Sequence, residues 1–244
     1  MLSKKVDWQL IVLVCSLIII IIMGVRQSLG LFLEPISQFM KDGKEFFSFA
    51  IGFQAIIWGV VTFGLGILID KFGPQKVLAF GIICFASGIF LMSNPNNQIS
   101  LFSATSLMGF GLGGAGMATM VSIAGKVAPP EKRSFAMGLI AAAASFGQFA
   151  VVLPTMWMNK IFGWEASLIV LSTITISLLL LLPLLNNTNE QNNKNNIFKD
   201  ELQNTLIFSM KERNYVLLIM GFFVCGFHVT FIGLHLPTDL MFKG

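Results

Sequence analysis

The sequence predicts an all-α, polytopic membrane protein. Three observations carry that prediction. Apolar residues make up 55% of the 244 positions and charged residues only 11%, whereas soluble domains are about a quarter charged. The mean hydropathy is +0.79. The apolar residues also come in long runs separated by short polar turns, and about 20 mostly apolar residues suffice to cross a bilayer as a helix. Seven runs meet that length: 8–33, 46–69, 75–94, 98–124, 132–158, 165–185 and 214–241. Turns between the first six are short. After them NNTNEQNNKNN opens a polar stretch that runs to Arg213. It cannot bury a core and reads as a linker. The chain therefore divides into a six-span unit (1–185), a linker (186–213) and a seventh span within 214–244.

Composition also narrows function. The net charge of +4 is spread over short turns with no basic stripe, which excludes a nucleic-acid partner. Cys15, Cys84 and Cys225 all lie in apolar runs, and no CxxC or Cys/His cluster accompanies them; no metal site or cofactor is expected. No P-loop and no GxSxG occurs, and too few polar turn residues remain to build a catalytic site, so an enzyme is not expected. Lys4 and Lys5 precede an apolar run too long for a signal peptide, and no small-residue cleavage site follows it.

Orientation follows from Lys and Arg placement. With the N-terminus inside, eleven of these residues fall on inside segments and four (Lys41, Lys44, Lys160 and Lys243) on outside ones. The N-terminus is expected to be cytoplasmic. That orientation excludes a G-protein-coupled receptor, and span 7 has no lysine inside the membrane to hold retinal.

Between spans 2 and 3 lies GILIDKFGPQK, with Gly66, Asp70, Lys71, Gly73 and Lys76 at the spacing G-x-x-x-D-[RK]-x-G-x-x-[RK]. A glycine suits a tight reversal, and a carboxylate at a helix end can pair with nearby cations or a helix N-terminus. This stretch resembles the signature loop of the major facilitator superfamily of secondary transporters. The resemblance implies a loop that helps latch the two halves of a transporter in one access state. Gln75 stands where many members carry a basic residue. Span 4 contains GFGLGGAGMATM, whose Gly109, Gly111, Gly113, Gly114 and Gly116 permit close backbone approach, and span 4 of the family is glycine-rich in the same way. Thr105 stands where many proton-coupled members carry an arginine, which weakens the case for a proton relay in span 4. Span 5, with Arg133, Gly138, Gly147 and Pro154, is similar to its counterpart in the family but lacks the Gly-Pro element of drug–proton antiporters. FGWEAS (162–167) matches the usual Gly-Trp-Arg at the start of span 6 except at Glu165.

Span 1 ends in GVRQSLGLFLEP and span 7 contains GFHVTFIGLHLP. At one offset of 202, Gly24 lies over Gly226, Arg26 over His228, Ser28 over Thr230 and Pro35 over Pro237. Two six-helix halves related by an axis along the membrane normal are the hallmark of the fold, and spans 1 and 7 then line its central cavity. Arg26 is nine residues before Pro35, or about 13 Å of helix. An unpaired arginine at mid-membrane costs at least ~2.5–3.5 kcal/mol, so it needs water, a partner such as Glu34, or a substrate. A guanidinium forks onto a carboxylate. Arg26, Ser28, His228 and Thr230 are accordingly the candidate substrate-binding residues. His228 and His235, seven residues apart, share a helix face and are the candidates for a coupling proton.

The helix 1 pattern G-x-R-x-S-x-G-x-F and the G-F-H…H-L-P of span 7 most resemble the branch of bacterial monocarboxylate porters and oxalate/formate exchangers. The resemblance implies secondary transport of a small carboxylate by alternating access, in the bacterial inner membrane, as antiporter or symporter. The alternatives are efflux of a drug-like solute and a non-transporting fragment or subunit. The family uses twelve helices and this chain supplies seven, so it is expected to be the front of a longer product, cut after helix 7, or to pair with a second polypeptide supplying helices 8–12.

Overall fold

The computed structural model describes residues 7–40, 43–189 and 212–243, and every regular element among them is helical. Among the described residues seven stretches are long and apolar enough to cross a membrane: Trp8–Met40, Lys44–Thr62, Pro74–Met92, Gln98–Val127, Pro130–Phe162, Trp164–Leu185 and Arg213–Gly233. Each coincides with one of the expected spans. Most of the polar linker (190–211) lies outside the described residues.

Span 1 is longer than expected and is not uniform. Helix α1 (Trp8–Ser28) opens on Asp7, whose carboxylate accepts from the Gln9 amide at 3.5 Å. It tightens into a 3-10 turn (Leu29–Phe32) and resumes as α2 (Leu33–Met40). Pro35 accounts for the change. Proline has no N–H to give the carbonyl four residues back, which here is Leu31. That carbonyl instead accepts from Asn159 Nδ2 at 3.4 Å, so a side chain of span 5 repairs the gap.

Spans 2 and 3 are α3 (Gly43–Phe72) and α4 (Pro74–Met92). The sequence points to a loop over 66–76; the reversal is a single residue, Gly73, at φ 84°, ψ 151°. A positive φ is open to glycine without steric cost, and Pro74 at the first helical position has its φ already set. Gly66, Asp70 and Lys71 therefore belong to the last turns of α3, and Lys76 to the first turn of α4; the side chains of Asp70 and Lys71 lie outside the described parts. Gln75 Nε2 donates to the carbonyl of Leu182 at 2.7 Å, which ties this corner to the end of span 6.

Span 4 is α5 (Gln98–Ala115) and α6 (Met117–Val127), divided at the extended residue Gly116. Asn97 caps α5 by accepting from the Ser100 amide at 2.8 Å. Span 5 is α7 (Arg133–Ala150) and α8 (Val152–Phe162). Span 6 is α9 (Trp164–Ser177), continued as a 3-10 helix over Leu178–Asn189. Span 7 is α10 (Arg213–Lys243). It leans on the 3-10 turn of span 1 and on α2, and most of its described side chains are exposed.

Glycines set the helix spacing. A Cβ on Gly147 of α7 would strike the backbone of Ile20 in α1, and one on Gly24 of α1 would strike the Gly147 carbonyl. In α5 the glycines divide between two neighbours. A Cβ on Gly109 or Gly113 would meet Gln54 and Val61 of α3, and one on Gly111 or Gly114 would meet Phe85 and Gly81 of α4. These pairs sit three or four residues apart on one helix, as packing on a common face requires.

A Cβ on Gly111 would lie 2.5–2.6 Å from the backbone and Cβ of Phe85, so Gly111→Leu forces two backbones apart. The expected loss is at the upper end of the ~1–3 kcal/mol for overpacking, read as a lowered Tm and a collapsed monodisperse peak in detergent. Gly138→Leu is the matched control: nothing lies within 4 Å of its Cβ position, and its Tm should stay with the parent's.

Candidate functional site

Arg26 lies 18 residues from Trp8 and 14 from Met40 along span 1, about 27 Å and 21 Å of helix. It is near the middle of the span and partly buried. Its guanidinium carbon lies 4.8 Å from the ring centroid of Trp58 on α3, a cation–π distance. Its Nη2 donates to Thr230 Oγ1 on α10 at 3.5 Å, a long hydrogen bond. Among the described residues no carboxylate is within ion-pair distance of it. Glu34, the acid on the same span, is engaged elsewhere: it pairs with Lys44 Nζ at 2.5 Å and accepts from Gln38 Nε2 at 2.8 Å. A guanidinium carries five N–H donors. Among the described residues the protein uses one of them, and Arg26 lines a cavity that can receive the others.

That cavity encloses about 30 Å³, room for one or two water molecules or the head of a small solute. Span 1 contributes Arg26, Gln27, Leu29 and Gly30; α3 contributes Ile51, Gln54, Ala55 and Trp58; α5 contributes Leu112; and α10 contributes Val229, Thr230 and Gly233. Each placement follows from helical periodicity. Gln54 and Trp58 are four residues apart, as are Val229 and Gly233, so each pair shares a face. Gln27 packs so closely on Gly233 that a Cβ there would lie 2.7 Å from its Nε2. The site is therefore a mainly apolar recess with one cation, two carboxamides and one hydroxyl converging on it, the composition expected of a small-molecule site.

The residues singled out in the sequence are distributed unevenly around this cavity. Arg26 and Thr230 meet in it. Ser28 does not line it: its side chain is fully buried, donates to the Gly24 carbonyl at 3.0 Å and lies 3.4 Å from Thr155 Oγ1 on α8. Ser28 thus braces span 1 against span 5. His228 is exposed, and its Nδ1 donates to the Val224 carbonyl one turn back at 3.1 Å. It is two residues from Thr230, about 200° around a helix, so the two point in opposed directions. His235 keeps the His228 face, is half-buried and lies 4.8 Å from the Phe231 ring. Thr105 is buried, and its hydroxyl donates to the Phe102 carbonyl at 3.1 Å. Among the described residues no group of His, Cys, Asp and Glu is arranged to hold a metal.

Trp58, Gln54 and Gln27 are not singled out by the sequence argument. Their signal was available: a glutamine and a tryptophan four residues apart in FQAIIW (53–58) put a polar amide and an aromatic face together in an apolar span, and polar side chains inside membrane spans are rare enough to mark function.

Comparison with known proteins places these features in a family. The model of the Major Facilitator Superfamily matches residues 6–242. The chain is 24% identical over 224 residues to YcxA of Bacillus subtilis, described as an uncharacterized MFS-type transporter, covering 88% of this chain and 53% of that one. It is 22% identical over 253 residues to an uncharacterized transporter of Buchnera aphidicola, covering 98% of this chain and 60% of that one. It is 28% identical over 127 residues to the agnestins efflux protein AgnL12 of Paecilomyces divaricatus, covering 51% of this chain and 27% of that one. The chain thus spans little more than half the length of the first two relatives. The seven membrane-length apolar helices among its described residues and a family match over nearly its whole length make it a multi-pass membrane protein of the Major Facilitator Superfamily, a family of transporters.

Proposed function

We propose that this protein moves a small organic anion, a mono- or dicarboxylate, across the bacterial inner membrane by alternating access, with its N-terminus in the cytoplasm. The observation that carries the reading is the state of Arg26: a mid-span guanidinium with a tryptophan face on one side, one long hydrogen bond, and a cavity beside it. A cation kept in that setting needs a counter-charge, and a carboxylate fits its planar fork. Thr230 brings span 7 to the same ligand. His228 and His235, on the other face of α10, serve in this reading as the proton-coupling pair rather than as substrate contacts. Gly66, Asp70, Lys71, Gly73 and Lys76 form the latch, and the chain supplies the first half (1–185), the linker (186–213) and the first helix of the second half. The likeness to the agnestins efflux protein favours a second reading, efflux of a drug-like solute.

Uptake of labelled formate, acetate and lactate into cells expressing the protein tests the first reading. Arg26→Ala should raise KM at least tenfold, since hydrogen bonds to charged groups contribute about 1.5–3 kcal/mol. Arg26→Lys keeps the charge but loses the fork and should fall between. Saturable uptake unaffected by Arg26→Ala would sink the role of Arg26; no anion uptake, with ethidium extruded from the same cells, would favour efflux.

Trp58→Leu removes the aromatic face while keeping an apolar wall. A cation–π contact of about 0.5–1 kcal/mol corresponds to a two- to fivefold rise in KM, with the amount of folded protein unchanged on gel filtration.

A further inference from the structure

Gln54 is 3% exposed, yet its Nε2 has no hydrogen-bond partner among the described residues. A buried donor left unpaired is unfavourable, and a native structure that keeps one calls for an explanation. The residue is not trapped in an apolar interface: it lines the same cavity as Arg26, Trp58 and Thr230. Its position is also fixed. Gly109 of α5 carries no side chain where a Cβ would stand 2.8 Å from the Gln54 carbonyl oxygen, so α3 and α5 hold their backbones together at this level. Gln54 precedes Trp58 by about one helical turn, roughly 5.4 Å along α3, and the guanidinium of Arg26 lies over the Trp58 ring.

Two residues that carry donors of different kind, Arg26 and Gln54, therefore line one small space. A carboxylate has two oxygens and about four lone-pair sites. A guanidinium fork occupies one edge, and a neutral amide N–H can take an outward lone pair without adding charge. A spherical halide cannot span a cation and an offset amide in the same way, and a neutral amide substrate gains little from the cation.

We propose that Gln54 is a second anion donor of this site: its Nε2 hydrogen-bonds an oxygen of the carboxylate held by Arg26, and so makes the cavity select carboxylates over halides and over neutral isosteres. The proposal rests on the carboxylate reading above. On this view the unpaired amide is the group that the ligand satisfies.

The test uses Trp58 as reporter. Trp8, Trp157 and Trp164 are replaced by Phe in the full chain, which is placed in nanodiscs and titrated with formate and acetate, with chloride and acetamide as comparisons. The parent should show a saturable change in Trp58 emission with the two carboxylates and none with chloride or acetamide. Gln54→Met, an apolar residue of similar length, should weaken carboxylate binding roughly tenfold or more, the factor that follows from losing one hydrogen bond to a charged group. It should also raise the Tm of the ligand-free protein, because the unpaired amide is gone. A glutamine with a purely structural role predicts the reverse, a lower Tm and unchanged affinity. Gln54→Asn withdraws the amide by one methylene, and a smaller loss of affinity with this variant supports the proposal where Met is not tolerated. Equal carboxylate affinity in parent and variants overturns the role of Gln54 and leaves that of Arg26 standing. No saturable change in the parent overturns the carboxylate reading itself, and this inference with it.

Discussion

The arrangement depends on backbones meeting without side chains between them. Inside a bilayer the lipid is as apolar as leucine, so burial gives helices little reason to associate, and close packing must do so instead. Here α5 lies against α3 through Gly109 and Gly113 and against α4 through Gly111 and Gly114, while α1 meets α7 at Gly24 and Gly147. The cavity is a by-product of those contacts. Gln54 and Trp58 reach it because α3 is drawn in at Gly109. Arg26 reaches it because its position two residues after Gly24 is fixed by the crossing with α7.

Arg26 is the unfavourable element that this scaffold supports. The usual remedy, an acid on the same span, is absent from its surroundings because Glu34 is committed to Lys44 where span 1 turns into span 2. What stands near the guanidinium is an aromatic face and a hydroxyl. Neither neutralises it. A cation stabilised only in part is ready to gain from an anion, whereas one already in a salt bridge would have to lose a partner first.

The spans were legible because twenty-residue apolar runs have few other uses, and the glycines of span 4 announced close packing before any neighbour was known. The corner at Gly73 was legible as a reversal but not as a single residue, since the pattern does not show that Pro74 can begin a helix with nothing in between. The site was legible only in part. The offset of 202 set Arg26 over His228, but the arginine reaches Thr230. Repeat equivalence relates two positions by a rotation; it does not make them touch. Ser28 resembles a ligand in the sequence because a hydroxyl in an apolar run stands out. Its contacts with the Gly24 carbonyl and Thr155 are the common alternative use of such a hydroxyl. Gln54 and Trp58 went unread because residues 46–69 of span 2 carry no charge to draw attention to them.

The bond from Gln75 to the Leu182 carbonyl joins residues 107 positions apart. Its donor follows the second span and its acceptor ends the sixth. A ribosome feeding this chain into a membrane makes the donor early and the acceptor late, so the bond has to wait until four further spans are in place. It ties the corner between spans 2 and 3 to the end of span 6, and so can form only after span 6 has been made.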